Sequence, residues 1–193
     1  MTSFSGTPDI MTCSGRFFSY IDTQPDSIDI SDIAHAVSMT CRFAGETLRF
    51  YSVAEHSVRV SEVCDPRDAL AGLLHDAAEA YLTDMPSPAK RLLPDYKVLE
   101  QRVFCAIARK FGVPSEIPAS VKHADGVLLA TEARDLCAPG WEYWGLPHVP
   151  LDQRIVVWTQ EEAKARFLDR FACLNRKAMQ ILATVPESVI QSS

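Results

Sequence analysis

The chain has 193 residues, of which 47% are apolar and 23% charged, and a formal net charge of −6. Those values describe one globular domain over residues 1–193 with a true core, and they exclude a general nucleic-acid surface, which needs net positive charge. No apolar run is long enough to span a membrane, no basic region followed by an apolar run marks a signal peptide, and six widely spaced cysteines with no CxxC pair read as reduced thiols in a cytoplasmic protein.

Residues 1–14 are small and polar and read as poorly ordered. Phe17-Phe-Ser-Tyr-Ile21 reads as a short strand or as apolar anchors over the core. The first helix is predicted from Ser31, a good N-cap, with Asp32 at the positive end of the dipole and Gly45 as its stop. Leu48–Ser52 is a short link. A second helix is expected over 53–64. A third begins at Asp65-Pro66 and reaches about Leu82; its stretch Ala69–Ala80 is apolar almost all round, which predicts a buried central helix. Asp84-Met-Pro-Ser-Pro88 breaks it. A fourth helix spans about Asp95–Phe111 and a fifth about Pro118–Cys137. Residues 138–155, rich in Pro, Gly and aromatics, form a loop. A last helix runs from about Gln160 to Ala183, with Phe167, Leu168, Phe171, Leu174, Ala178 and Ile181 inward. The fold class is all-α, a bundle of five or six main helices. An apolar face left exposed on the last helix would allow a homo-oligomer.

His75-Asp76, inside Ala71-Gly-Leu-Leu-His-Asp-Ala-Ala-Glu79, sets two metal-ligand side chains in an apolar helix. Burying an imidazole and a carboxylate there is costly unless they are paired or hold a cation. His56 precedes them in Ser52-Val-Ala-Glu-His-Ser57, and Asp125 follows in Lys122-His-Ala-Asp-Gly-Val-Leu128. Two His and two Asp on three apolar helices suit a mixed nitrogen–oxygen site for one divalent metal.

The ordered set His56, His75-Asp76 and Asp125 resembles that of the HD-domain metal-dependent phosphohydrolases. His75-Asp-Ala-Ala-Glu-Ala-Tyr-Leu-Thr-Asp-Met-Pro-Ser-Pro-Ala-Lys90 is similar to the central motif of the YfbR-type 5′-deoxynucleotidases and the DatZ-type phage dATP triphosphohydrolases, and the likeness covers about residues 30–135. It implies an HD-type helical bundle and a bacterial or phage setting. It implies hydrolysis of a dNMP or a dNTP, with a slight lean to several phosphates, and one divalent cation (Co, Zn, Mn or Mg) held by His56, His75, Asp76 and Asp125. It places Glu79 and Asp84 in the catalytic apparatus, and Arg42, Phe43, Lys90 and Lys122 on the substrate. Phe43 stands where those families carry Trp. The partner is a small nucleotide, with no nucleic acid and no membrane. Hydrolysis of another phosphoester, such as a signalling nucleotide, and a metal-stabilised nucleotide sensor without turnover are the alternatives.

The chemistry explains the residue types. Phosphoryl oxygens repel nucleophiles, and a divalent cation offsets that charge. Glu79, one turn after Asp76, is a candidate proton carrier, and Arg and Lys neutralise phosphate oxygens. His35 reads as a core or supporting histidine, His123 as facing away from Asp125, His148 as a loop residue, and Trp141, Trp144 and Trp158 as packing anchors.

Overall fold

The computed structural model describes residues 8–184, with side chains as far as Arg176. Residues 1–7, and the side chains of Ala178 and Ile181 on the expected inner face of the last helix, lie outside the described residues. The chain is an all-α bundle with one small hairpin. Strands β1 (Asp9–Met11) and β2 (Phe17–Ser19) pair antiparallel, with Ile10 opposite Phe18. The helices are α1 (Ile30–Met39), α2 (Val53–Val63), α3 (Ala69–Leu74), α4 (Glu79–Leu82), α5 (Ser87–Lys90), α6 (Pro94–Phe111), α7 (Ala119–Leu136) and α8 (Gln160–Thr184). Among the described residues no helix is long and apolar enough to cross a membrane.

The segment 8–14 is built, against the expectation of poor order. Its turn wraps a buried carboxylate: Thr12 Oγ1, Cys13 Sγ, Ser14 N and Ser14 Oγ all donate to Asp32, at 2.9, 3.3, 3.0 and 2.7 Å. Asp32 therefore does more than favour a helix dipole. The cap of α1 is Asp29, not Ser31, and its carboxylate accepts from Ser31 N at 2.9 Å. α1 stops at Met39 because the chain turns into a bridge between Cys41 and Ser52, with Val53 N donating to Thr40 O at 3.0 Å and Arg42 N to Tyr51 O at 2.9 Å. Gly45 closes a separate tight turn, Arg42–Gly45.

The hub is α2, and the apolar third segment is buried against it as expected, five of the six residues of α3 being buried. α2 packs on α1, α3, α7 and α8, and eight of its eleven residues are buried. Gly72 lets α3 approach it closely: a Cβ there would meet Cys64 Sγ at 2.9 Å and Ser61 Cα at 3.2 Å. Phe18, Ile33, Leu73, Leu74, Ile107, Leu128 and Phe167 fill the core around this contact.

The predicted third helix is two helices joined by a tightened turn. Between Leu74 and Tyr81 the backbone bonds run three residues apart: Ala77 N to Leu74 O, Glu79 N to Asp76 O, and Tyr81 N to Ala78 O, each at 3.0 Å. In such a winding, residues three apart lie one above the other. Asp76 and Glu79 thus project to the same side, and His75 aligns with Ala78.

Candidate metal centre

α2 carries His56 into the floor of the site, where it is fully buried. The tightened turn brings His75 and Asp76, and α7 brings Asp125. His56 Nε2 lies 3.3 Å from His75 Nε2, 3.5 Å from Asp76 Oδ2 and 3.2 Å from Asp125 Oδ1. His75 Nε2 lies 3.2 Å from Asp76 Oδ2 and 4.0 Å from Asp125 Oδ1. His56, His75 and Asp125 form a group able to hold a metal ion, their ligand atoms all within 4.8 Å of one another. The side chain of Asp125 is 43% exposed, so the cluster opens to solvent on that side.

Both imidazoles are fixed in the same sense. His75 Nδ1 sits 2.8 Å from the Gly72 carbonyl, and His56 Nδ1 sits 2.6 Å from Glu132 Oε1. A carbonyl and a carboxylate only accept, so Nδ1 donates in each ring and Nε2 faces the cluster, as a ligand must. Sequence reasoning missed Glu132. It lies seven residues after Asp125, two turns along the same face of α7, as a lone carboxylate in Val127-Leu-Leu-Ala-Thr-Glu-Ala133. A buried charge in such a run needs a partner, and that was the available signal.

Arg42 does not point freely at a substrate. Nη1 lies 3.3 Å from Asp76 and 3.7 Å from Asp84, and Nη2 lies 3.5 Å from Glu132. It clamps three carboxylates. Asp84, just beyond Thr83 with its positive φ of 69°, contacts Arg42 and accepts from Phe43 N at 3.2 Å. Lys90 Nζ is paired with Glu100 Oε1 at 2.6 Å. Lys122 is exposed and has no carboxylate partner among the described residues. Lys90 and Lys122 share one cavity of about 250 Å³ with His75, Asp76, Glu79 and Asp125. Arg42, Phe43 and Asp84 do not line it, although Arg42 reaches Asp76 Oδ2, the oxygen that also faces His56 and His75.

The electrostatics follow from burial and pairing. Burial acts to raise the Asp76 carboxyl, but His75, Arg42 and His56 hold it well below the usual carboxylate range. Asp125 is likewise lowered, its burial outweighed by His56 and His75, and Glu132 by His56 and Arg42. Burial and the Arg42 charge act to lower His56, yet Glu132 and Asp125 prevail and push it up to about 9. Glu79 goes the other way. It is 5% exposed, its Oε2 has no hydrogen-bond partner among the described residues, and burial, then Asp76 and Asp84, raise it well above the ordinary glutamate value.

The remaining aromatic and histidine side chains are partly reassigned. His35 is half-buried and faces a second cavity, of about 390 Å³, between the hairpin and α1, away from the cluster. The His123 ring meets His148 edge-on at 5.0 Å, and His148 lies flat enough on α7 that a Cβ at Gly126 would come within 2.2 Å of it. Trp158 does anchor, between Arg59 at 4.7 Å and Arg166 at 4.4 Å. Trp144 is 49% exposed.

These features define an all-α protein built around a partly buried His/Asp group able to hold a metal. The chain is 41% identical over 166 residues to the uncharacterized protein YfdR of Escherichia coli strain K12, covering 84% of this chain and 93% of that one. It is 40% identical over 121 residues to the uncharacterized protein RCAP_rcc00048 of Rhodobacter capsulatus, covering 58% of this chain and 62% of that one. The chain belongs to the YfdR family. No family model matches it.

Proposed function

We propose that this protein is a metal-dependent phosphohydrolase of deoxynucleotides in which His56, His75, Asp76 and Asp125 hold one divalent cation. The observation that carries this reading is the meeting of two imidazole nitrogens and two carboxylate oxygens: the two Nε2 atoms lie 3.3 Å apart, and each lies within 4.0 Å of Asp76 Oδ2 and Asp125 Oδ1. Around them the carboxylates of Asp76, Asp84, Asp125 and Glu132 outnumber Arg42 and the raised His56 imidazole, so a cation fits the charge of the site. Two imidazoles in the set favour Mn, Co or Zn over Mg, which prefers oxygen donors. Such an ion, when bound, would neutralise phosphoryl oxygens and lower the pKa of water.

The chain's own residues then divide the work. Glu79, aligned with Asp76 and lining the cavity, holds or moves a proton at Oε2. Lys122 meets phosphate oxygens at the cavity rim. Asp84 acts through Arg42 and Phe43, which it holds in place. With Arg42 and Lys90 already paired to carboxylates, the cationic supply supports a monophosphate better than a triphosphate, against the lean of the sequence motif. The six cysteines are unpaired thiols, which supports a reducing, cytoplasmic setting.

The test is a turnover assay of metal-reconstituted protein with dNMPs, dNTPs and a Mn, Co, Zn and Mg panel. Phosphate or triphosphate release that a chelator abolishes is expected, with metal and turnover lost together in Asp76→Ala. Stoichiometric metal retained in Asp76→Ala, or no turnover of any nucleotide with any of the metals, overturns the reading.

A further inference from the structure

Next to the cluster, where Arg42 reaches the Asp76 oxygen that faces His56 and His75, the chain holds a strained aromatic corner. Phe43 and Ala44 have φ of 56° and 53°, a left-handed conformation that costs non-glycine residues free energy and persists where surrounding contacts impose it. The imposing contacts are visible. Asp84 accepts from Phe43 N at 3.2 Å, Glu46 N donates to Phe43 O at 3.0 Å, and the Arg42 guanidinium lies 5.5 Å from the centre of the Phe43 ring. The Phe43 ring is therefore set in place beside a side chain that touches Asp76.

A second element comes to meet it. The tight turn Trp141–Trp144 lies between Gly140 and Gly145, both with positive φ, and brings the Trp144 ring centre 6.0 Å from that of Phe43 at 42°. The segment after this turn is tied down to α7. His148 packs on Gly126, next to Asp125, and Leu151 N donates to Thr131 Oγ1 at 2.9 Å. Yet Trp144 is 49% exposed and Tyr143 is 94% exposed. Two tilted rings, one locked and one on an anchored turn, form an open V rather than a packed core contact.

We infer that Trp144, together with Phe43, forms the seat for a planar aromatic heterocycle, the base of the nucleotide whose phosphate meets the His/Asp cluster. This rests on the proposed phosphohydrolase reading. The placement suits the substrate, since a base and its 5′-phosphate are separated by one sugar, and Phe43 is one residue from Arg42, which contacts Asp76. A stacking platform accepts any base by its face, so the corner predicts broad base tolerance set by ring contact.

The experiment compares the affinity of metal-loaded protein for a panel of dNMPs and for deoxyribose 5-phosphate, which lacks the base. In wild-type protein the nucleotides bind more tightly. Trp144→Ala should lose on the order of tenfold of that preference, and Trp144→Phe should restore most of it. Because Trp144 is half-exposed, the Tm of both variants should match wild type. An unchanged preference in Trp144→Ala, or a change in oligomeric state on size exclusion in place of a change in preference, overturns the inference while leaving the hydrolase reading standing. A wild-type protein that binds and hydrolyses no nucleotide overturns both.

Discussion

Two buried carboxylate sites in this protein are built on opposite rules. Asp32 is 3% exposed and receives four hydrogen bonds, from Thr12, Cys13 and both donors of Ser14. These neutral donors hold its carboxyl below the usual range against the cost of burial. The cluster around Asp76 is the reverse. Its carboxylates face one another, Arg42 is divided among three of them, and Glu79 keeps a buried oxygen with no hydrogen-bond partner among the described residues. A carboxylate that serves structure is satisfied within the fold. A set that is left short of positive charge, and open to solvent through Asp125, could hold a metal ion, as the proposed function requires.

The largest effect should come from the unsatisfied member. Glu79→Gln removes the proposed proton carrier and keeps the shape, so turnover should fall by ~10²–10⁴ while metal content, read by elemental analysis, stays at the wild-type level. Turnover within a few-fold of wild type would place Glu79 outside the chemistry. Glu132→Gln should act one step removed. It loosens the hold on His56 Nδ1, and outer carboxylates of this kind typically contribute 10–100-fold to metal affinity. Titration with Mn or Zn at pH 9 or above, where proton competition at His56 has ended, should show that loss; unchanged affinity there would make Glu132 a packing residue.

The satisfied site gives the contrasting prediction. Asp32→Ala strands the Thr12 and Ser14 donors and should cost about 1–3 kcal/mol of stability, measured by urea unfolding, with metal affinity and turnover unchanged. The sign with pH follows from its lowered pKa. An ionised Asp32 stabilises above its unfolded pKa, and that contribution is lost as pH falls through the folded value, so wild type and Asp32→Ala should converge in acid. A loss of metal binding in this variant would join two sites that the structure separates.

What the sequence disclosed follows the same division. α2, α6, α7 and the start of α8 were legible to within a residue or two, because their stops are Pro, Gly and side-chain caps with local mechanisms. The tightening between Leu74 and Tyr81 was not, since Ala, His, Asp and Glu all suit an ordinary helix and the change comes from tertiary packing. His56, His75, Asp76 and Asp125 were found by motif and lie together. Glu132 and the Asp32 cradle escaped notice because their meaning lies in contacts made across 76 and up to 20 residues. Arg42 and Lys90 were read as phosphate contacts, and their pairing with Glu132 and Glu100 was not foreseen because those carboxylates carry no motif.

The last prediction separates the two sites by proton alone. His56 is raised to about 9 by Glu132 and Asp125, so at neutral pH its Nε2 carries a proton in the metal-free protein. A metal must displace that proton, because only the neutral imidazole is a ligand. Apparent metal affinity should therefore rise about tenfold per pH unit below the His56 pKa, and level off near pH 9. Isothermal titration in buffers of differing ionisation enthalpy would count the proton released. In Glu132→Gln the raising charge is gone, so the plateau should begin at lower pH, whereas Asp32→Ala should leave the whole curve in place. A flat profile in wild-type protein would mean that His56 is already neutral, and that Glu132 orients the ring without holding it charged.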